Sequence, residues 1–562
     1  MRQLSILLLT LLFISCSQQD AHVEYEVAST TYEGQPALEI TLTTSPDPDG
    51  TTEILYQNSA WGQEDLYNSL KDPVLLSAQG ALEVNRDSGW IAIKHGNNDD
   101  PLRLQYTLIQ DTPFSREGRD PTYRPIIQPE YFHVFGHNLF AIPKHLSEDT
   151  QTEARVDIEW EGWSDKQIIH NSFGSQERNQ ALRGITWQEF HSSIFVGGDY
   201  RIHEEEINGN RLLLAIRGDW IPFNDTEVRE VLLKTVTAQR NFWKDHSQNY
   251  FTVTMRPFSL DRGSSYGGTG LTNSFATSMS NNSETDLSQL VHLFNHELMH
   301  NWIGHAIENA DEEAQYWFSE GFTEYYAVKN IAKNEIGGFD INYLLDHINE
   351  KIRLLKASPI GEAPNSEINY ENFWRDREYS ELPYRRGFLY AFYLDSEISR
   401  AHQGEKSLDD VMLKILKNAN ESDEKIDRVS FLKVLKEFLP ENPEPFFEAH
   451  IEQGKWIDFT AHFEKMGLDF EVGAELFDLG FQASEDGTEI IAVSPGSAAE
   501  QAGLKAGDQL ASRSIYYGRT DIPVELGVRQ GKAVNKLSFY AVRNADIPQL
   551  SAADKNRVLL TP

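Results

Sequence analysis

Residues 296–300, with the sequence HELMH, constrain the fold of this 562-residue chain more than any other segment. Apolar residues recur at three- and four-residue spacing from Leu287 onward, Asp286 offers a cap, and Gly304 follows the pentad. This pattern predicts a helix of about 18 residues. On such a helix the two histidines lie on the same side, and Glu297 lies roughly 100° further round.

Two histidines four residues apart on a helix are typical zinc ligands, and a carboxylate commonly completes three protein ligands. Glu320 begins a second helix-like stretch, so His296, His300 and Glu320 are predicted to hold one zinc ion. Glu324 follows one turn later and is predicted to accept the outer N–H of a zinc-bound histidine. Glu297 is badly placed as a ligand but can reach water on the metal, which makes it the predicted general base.

This set of residues predicts hydrolysis of a peptide or ester bond, because zinc lowers the pKa of bound water to about 7 and polarises a carbonyl group. The alternative is a chance pattern in an acidic chain, with both histidines bonded to their neighbours. His292 lies one turn before His296 and is interpreted as a bystander rather than as a residue that lines the cleft.

Three segments, in order, resemble the gluzincin metallopeptidases, the clan of thermolysin, aminopeptidase N and leukotriene hydrolase. They are 296–304 (HELMHNWIG), 317–326 (WFSEGFTEYY) and 383–388 (PYRRGF). Within this clan the chain is most similar to the glycyl-aminopeptidase family, whose members join a β-rich N-terminal domain, a thermolysin-like catalytic domain and a C-terminal PDZ domain. The resemblance covers nearly the whole mature chain and implies zinc as the cofactor and peptides as substrates.

The same resemblance implies that Tyr384 donates a hydrogen bond to the tetrahedral oxyanion. Removing one such donor from a dry site costs about 10²–10³ in rate. Tyr379, earlier on the same segment, is a weaker candidate for a second donor. The alternative for Tyr384 is a structural tyrosine in a core or an interface.

The glycine-rich loop at 266–274 (YGGTGLTNS) departs from the family pattern, in which a glutamate of this loop binds the free amino terminus of the substrate. An ungapped match places Gly270 at that position, and the aminopeptidase N form of the loop places Thr272 there. The loop also contains Gly267 and Gly268, and none of these residues binds an ammonium group by charge. Asp261 is a candidate substitute. Without one, peptides would be bound only by backbone hydrogen bonds to a predicted edge strand at 250–255 and cut internally.

The N-terminus predicts export. Residues 1–16 read as a lipoprotein signal peptide, because a basic start precedes an apolar run that is too short to span a bilayer. Residues 13–16 (FISC) resemble a bacterial lipobox, which implies lipidation of Cys16, the only cysteine of the chain. The protein is then expected in the bacterial cell envelope, tethered to a membrane on the periplasmic side or the outer surface. Ordinary signal cleavage that releases a free protein is the alternative.

The whole chain is predicted to be a multidomain α+β protein. Period-two apolar alternation makes 23–220 a β-rich N-terminal domain, and helical periodicity makes 342–465 an α-helical domain. The thermolysin-like catalytic domain is expected at 221–341 and the PDZ domain at 472–543. A net charge of −36, from 86 acidic and 50 basic residues, argues against nucleic acid as a partner.

The predicted PDZ domain depends on two motifs, 479–481 (LGF) and 494–508 (SPGSAAEQAGLKAGD). The amides near Leu479, Gly480 and Phe481 are predicted to bind the terminal carboxylate of a peptide ligand that adds to a sheet edge. The alternative is a structural domain whose groove is unused.

The leading hypothesis is therefore a zinc metallopeptidase of extracytoplasmic peptides, with weak preference at most for a free amino terminus. Two other classes stay open. One is a PDZ-mediated peptide-binding protein with a vestigial zinc site. The other is hydrolysis of a non-peptide substrate, because the leukotriene hydrolase branch opens an epoxide at the same kind of zinc site.

Overall fold

The structure is a computed structural model that describes residues 22–77, 80–85, 89–96, 99–114, 121–148, 151–422 and 424–551. The predicted signal peptide and Cys16 lie outside these residues. The contacts between residues divide the chain into two compact units. The first consists of the chain up to Ile221 together with Gln248–Thr285. The second consists of Pro222–Ser247 together with the chain from Asp286 onward.

The first unit is built mainly of β-strands. Alternating burial along the strands reflects the apolar alternation of the sequence, for example in the first strand, where Val23, Tyr25 and Val27 are buried. In chain order its elements are β1 His22–Tyr32, β2 Gln35–Thr44, β3 Thr51–Leu55, β4 Leu70–Leu75, β5 Ala81–Asn85, β6 Trp90–Lys94, β7 Leu102–Ile109, β8 Ile126–Ile127, β9 Tyr131–Phe135, α1 Gly136–Leu139, β10 Ile142–Pro143, α2 Lys144–Glu148, β11 Glu153–Glu161, β12 Ile168–Asn171, β13 Asn179–Thr186, α3 Trp187–His191, β14 Ile194–Gly198, β15 Arg201–Ile207, β16 Asn210–Ile216, β17 Tyr250–Phe258, β18 Tyr266–Leu271 and β19 Ser274–Ser280.

These strands form four sheets, with the strand orders β13-β11-β1-β2-β7-β4, β10-β3-β6-β5, β12-β14-β9-β8 and β15-β16-β17-β19-β18. Three buried tyrosines join the first two sheets to the α1 region. The hydroxyls of Tyr25, Tyr56 and Tyr106 donate to backbone carbonyls of residues 138–141 at 2.7–2.9 Å. Burial of these phenols is therefore compensated by hydrogen bonds, as interiors require.

The five-stranded sheet corrects one prediction. The segment at 250–255 was expected at a sheet edge, but β17 is central and pairs in parallel with both β16 and β19. The edge strands are β15 and β18, and β18 pairs only with β19 among the described residues. Its glycines made this segment resemble a loop, because glycine is depleted in strands.

The second unit is helical up to residue 466. Its main helices are α4 Asp225–Trp243, α5 Leu287–Met299, α6 Glu312–Ser319, α7 Gly321–Lys333, α8 Ile341–Ala357, α9 Tyr370–Arg375, α10 Arg377–Ala401, α11 Leu408–Ser422, α12 Arg428–Leu435, α13 Glu444–Phe447 and α14 Phe459–Met466, with a π-turn at Glu448–Glu452 and short 3₁₀ turns elsewhere. One continuous apolar cluster runs through α6, α7, α8, α10, α11 and α12.

A buried ion cluster fixes α7 against its neighbours. Lys329 on α7 lies 2.7 Å from Asp395 on α10 and 2.7 Å from Asp409 on α11. Tyr325, one turn earlier on α7, also donates to Asp395. A buried ammonium group is tolerated here because two carboxylates surround it.

The C-terminal part of this unit is a small β-rich module. Its elements are β20 Phe470–Phe477, β21 Phe481–Ala483, β22 Ile490–Val493, α15 Ala498–Gln501, β23 Leu510–Ser514, β24 Val524–Gln530, β25 Ala533–Phe539 and β26 Val542–Leu550. The module has an apolar cluster of its own, whereas β20 and β26 pair as a ribbon whose Leu476, Ile547 and Leu550 join the helical core.

The fold is thus multidomain α+β, with a β-rich N-terminal part and a helical part that follows it. The predicted boundaries at 221–341, 342–465 and 472–543 stay predictions, and residues 248–285 contribute three strands to the sheet that also contains β15 and β16. No helix within the described ranges combines the length and apolarity needed to cross a membrane.

Candidate active site

Helix α5 supplies the two histidines of the predicted zinc site. Asp286 caps its N-terminus in a capping box with Gln289, and the helix ends at Met299, so it has 13 residues rather than the predicted 18 or so. His296 lies in the last turn and His300 in the capping position that follows it. The shorter helix still presents both imidazoles to one side.

Glu320 lies at the junction of two helices rather than inside one. It ends α6 and precedes α7, and its amide donates to the Tyr316 carbonyl at 3.0 Å. Its carboxylate oxygen Oε2 is 3.5 Å from His296 Nε2 and 3.6 Å from His300 Nε2. This oxygen is buried and accepts no well-formed hydrogen bond from the described part of the chain.

The three groups fit a zinc ion. Ligand atoms about 2.0–2.1 Å from a tetrahedral zinc ion lie about 3.3–3.4 Å apart, close to the two separations from Glu320 Oε2. Two imidazoles and one carboxylate are also the donor set of many catalytic zinc sites, in which the fourth position stays open. A buried oxygen without a hydrogen bond is costly unless a cation binds it, which supports the same assignment.

Both histidines are oriented through their outer nitrogens. His296 Nδ1 lies 3.0 Å from Glu324 Oε2, and His300 Nδ1 lies 3.0 Å from the Ile303 carbonyl. Because these oxygens accept the Nδ1–H protons, each Nε2 is left as the metal-binding lone pair. The structure thus places Glu324 beside the outer nitrogen of His296, and its role towards a bound metal stays a prediction.

Two contacts of Glu324 were not expected from the sequence. His292 Nε2 lies 3.1 Å from Glu324 Oε2, so His292 touches the site instead of standing apart from it. The ammonium group of Lys351 on α8 donates to Glu324 Oε1 at 2.7 Å. Lys351 is 51 residues beyond His300 and carries no local motif, so only the fold reveals it.

Two other groups of residues among those described could hold a cation, namely His292, His296 and Glu324, and His22, Glu24 and Asp157. In the first, the Lys351 ammonium already neutralises Glu324. In the second, Asp157 is paired with both His22 and Arg183. Neither group leaves a buried carboxylate oxygen free of a cationic partner.

The electrostatics of the site favour bound positive charge. Burial alone would lower the pKa of His296, but the neighbouring carboxylates of Glu320 and Glu324 raise it to about 10. A metal that binds here displaces a proton from this imidazole, since histidine coordinates in its neutral form. Burial would raise the pKa of Glu320, but the positive charges of His300 and His296 hold it well below the usual range.

Glu297 is half-buried, and burial raises the pKa of its carboxyl group above the ordinary value. A carboxylate with a raised pKa is a stronger base, and this direction is the one that a general base requires.

Tyr384 on α10 lies against the zinc ligands. Its ring stacks on that of His296, with centroids 5.6 Å apart and an interplanar angle of 21°. Burial, together with the charge of Glu320, raises the pKa of its phenol well above the ordinary value, so the group stays a neutral donor. Tyr379 is half-buried against the helical core, and the structure records no contact between Tyr379 and the three predicted ligands.

The loop predicted to bind the substrate belongs to the first unit. Gly267, Gly268 and Gly270 lie on β18, and Thr272 lies in the turn to β19. A side chain at Gly268 would meet the Phe275 ring at 2.1 Å, so packing requires glycine there. Residues 266–274 contain no carboxylate, and Asp261 is exposed in the preceding connection.

The predicted carboxylate loop of the C-terminal module differs from expectation. The Gly480 amide already donates to the Asp478 side chain at 2.8 Å, and Asp478 pairs with Arg543 at 3.4 Å. Phe481 is paired with Val493 in the ladder between β21 and β22, and Leu479 belongs to the partly buried layer of the module's own core. The Asp478 carboxylate therefore already accepts from one of the amides that were predicted to bind the terminal carboxylate of a ligand.

Known proteins resemble this chain in its central part and in its fold. Residues 267–442 match the Peptidase family M1 domain. Leucine aminopeptidase 2 of Yarrowia lipolytica is 26% identical over 190 residues, which are 29% of this chain and 28% of that protein. Leucine aminopeptidase 2 of Pyricularia oryzae is 32% identical over 110 residues, 19% of this chain and 17% of that protein. The chain thus spans less than a third of either relative.

A crystal structure of an aminopeptidase N family protein from Idiomarina loihiensis shares the fold. It aligns with a TM-score of 0.69 over 96% of this chain and 100% of its own, at 15% sequence identity. The matched stretch, residues 267–442, contains the three predicted ligands together with Glu297, Glu324 and Tyr384, so the resemblance to M1 peptidases falls on the candidate site itself. The closer likeness to glycyl-aminopeptidases stays a prediction.

Proposed function

We propose that this protein hydrolyses peptide bonds with a single zinc ion held by His296, His300 and Glu320. The observation that carries the proposal is the placement of the Glu320 oxygen 3.5 and 3.6 Å from the two Nε2 atoms. Each imidazole is held by an outer acceptor, and the base and the phenol predicted from the sequence belong to the same group of residues.

A zinc ion bound by these three residues would act as a Lewis acid, lowering the pKa of its bound water to about 7 and polarising the scissile carbonyl. Glu297 accepts the proton of the attacking water and returns it to the leaving amine, because a base with a raised pKa is also a competent acid afterwards. The Tyr384 phenol donates to the oxygen on which negative charge develops. Glu324 keeps the His296 ring in its metal-binding tautomer.

Replacement of Glu297 by glutamine tests this mechanism. We expect kcat to fall by about 10²–10⁴-fold, the usual contribution of a general base, while zinc binding persists because Glu297 is not a ligand. Chelation of zinc from the wild type abolishes activity, and added zinc restores it. Peptide hydrolysis and metal content are measured in parallel, with Glu284→Gln, an exposed carboxylate before α5, as the control. A Glu297→Gln enzyme with wild-type kcat would remove the mechanism.

We propose aminopeptidase activity for this site. The resemblance to two proteins named leucine aminopeptidase 2 and the match to the M1 domain support this activity. The absence of a carboxylate from 266–274 supports a weak grip on the substrate amine. Internal cleavage without any such grip is the alternative.

A pair of otherwise identical peptides, one with a free and one with an acetylated amino terminus, distinguishes these activities. We expect the free peptide to be favoured by less than about tenfold in kcat/KM, since a charge-assisted hydrogen bond contributes about 1.5–3 kcal/mol and this loop provides none. Equal cleavage of the two peptides would identify an endopeptidase. No cleavage of the acetylated peptide would show that a carboxylate elsewhere binds the amine.

Two other functions predict different results. A PDZ-mediated binding protein with a vestigial zinc site would hydrolyse no peptide, although the three ligands and the base are all present in this chain. A hydrolase of epoxides or other non-peptide substrates would show its highest kcat/KM outside the peptide series.

The C-terminal module is proposed to be a PDZ-type peptide-binding domain, supported by its sequence motifs and by β21, which pairs only with β22 among the described residues. Because Asp478 occupies the Gly480 amide, we expect the full chain to bind an extended peptide equally well with a free or an amidated C-terminus. Fluorescence anisotropy of labelled peptides measures this. Loss of binding on amidation would show that the amides near Gly480 do bind a terminal carboxylate. No binding of either peptide would refute the PDZ proposal.

We also propose that the protein is exported and anchored in the bacterial envelope through lipid on Cys16, supported by the sequence of residues 1–16. Cells supplied with a labelled fatty acid should yield labelled protein in the membrane fraction, and Cys16→Ser should abolish the label. Unlabelled wild-type protein would contradict the proposal.

A further inference from the structure

Helix α8 presents one face to the residues around the zinc ligands. Tyr343, His347 and Lys351 follow one another at four-residue spacing and therefore lie on one side of the helix. The Tyr343 hydroxyl is 3.4 Å from His292 Nδ1, and the rings of His292 and His347 are stacked with centroids 5.8 Å apart. The Lys351 ammonium reaches Glu324.

Lys351 holds one of the two oxygens of the Glu324 carboxylate, the other of which also lies 3.1 Å from His292 Nε2. Its donation to Oε1 leaves Oε2 directed at His296 Nδ1, 3.0 Å away. Both Lys351 and Glu324 are at least nine-tenths buried, so a Glu324 carboxylate without the ammonium group would have little access to water. A buried carboxylate that loses its cationic partner is strongly disfavoured in its observed place.

The opposite face of α8 holds the C-terminal ribbon. The Asn349 side chain donates to the Leu550 carbonyl at 2.9 Å and accepts from the Leu550 amide at 2.7 Å. Arg353, one turn later, donates to the Gln549 side chain. Asn349 and Leu550 are both buried, so β26 depends on this contact for two of its backbone hydrogen bonds.

We propose that Lys351 is a positioning residue of the metal centre, which holds Glu324 against His296, and that docking of β26 on Asn349 keeps Lys351 in place. The inference rests on the proposed zinc site. It connects the C-terminal module to the catalytic centre by named contacts, from Leu550 through α8 to Glu324 and His296.

Zinc affinity of the purified full-length chain tests the role of Lys351. The dissociation constant is measured by competition with a chromophoric chelator for the wild type, Lys351→Met and Lys351→Arg. Loss of partners that orient metal ligands usually costs about 10–100-fold in affinity, and we expect about tenfold for Lys351→Met because it acts through Glu324. Lys351→Arg, which keeps the positive charge, should retain more of the affinity.

A general loss of stability is distinguished by two further readouts. Lys356→Met, an exposed lysine on the same helix, serves as the control and should bind zinc like the wild type. The absorption spectrum of the cobalt-loaded protein should change in Lys351→Met but not in Lys356→Met, since it reports ligand geometry. Wild-type affinity and spectrum in Lys351→Met would overturn the inference, as would equal losses in the methionine and arginine variants.

The contribution of β26 is tested by Asn349→Ala, with Asn342→Ala in the exposed first turn of α8 as its control. We expect Asn349→Ala to weaken zinc binding by less than Lys351→Met, and Asn342→Ala to leave it unchanged. Linkage requires the reverse effect as well, so zinc should slow hydrogen exchange of the Leu550 amide in the wild type. Unchanged zinc affinity in Asn349→Ala, together with unchanged exchange, would overturn this part.

Failure of the inference and failure of the proposed function are separable. A wild-type chain that binds no zinc and cleaves no peptide refutes the function. A wild-type chain that does both, with Lys351→Met indistinguishable from it, refutes only the role of Lys351.

Discussion

The contact between Gly321 and Gly387, where α7 crosses α10, is the constraint on which the site depends. A Cβ atom at Gly321 would meet the Gly387 Cα at 2.4 Å, and one at Gly387 would meet the Trp317 carbonyl at 2.0 Å. The backbones can approach this closely only because both residues are glycine. Glu320 directly precedes the first glycine, and Tyr384 precedes the second by three residues, so the crossing brings the proposed third ligand and the proposed oxyanion donor together.

Around this crossing the site is held by buried charges in defined pairs. Lys329 fixes α7 to α10 and α11, while Lys351 fixes the Glu324 carboxylate that orients His296. Both ammonium groups lie within hydrogen-bonding distance of a carboxylate, because an unpaired buried charge would destabilise the fold. The Glu320 oxygen Oε2 accepts no well-formed hydrogen bond from the described residues, and it lies 3.5 and 3.6 Å from the Nε2 atoms of His296 and His300.

The sequence predicted those parts of the site that lie on short motifs. The spacing of His296 and His300 fixes their common face once the segment is a helix, and Glu324 falls one turn after Glu320 for the same reason. The strand-rich character of the N-terminal part followed from apolar alternation, as in β1. These are local properties of a chain, and local periodicity carries them.

What the sequence did not predict depends on contacts between distant segments. The position of β18 at the sheet edge is decided by pairing with β19, and its glycines are explained by the Phe275 ring rather than by a loop. Lys351 and Asn349 look like ordinary residues of an amphipathic helix until Glu324 and Leu550 lie beside them. Helix α5 ends at Met299, earlier than its pattern suggested, and His300 is its C-terminal capping residue.

Anomalous diffraction from zinc-loaded crystals, recorded on both sides of the zinc absorption edge, tests the central claim most directly. We expect one peak about 2.0–2.1 Å from His296 Nε2, His300 Nε2 and the nearer oxygen of Glu320. A single peak bound instead by His292 and Glu324, or no peak among these residues, would contradict it.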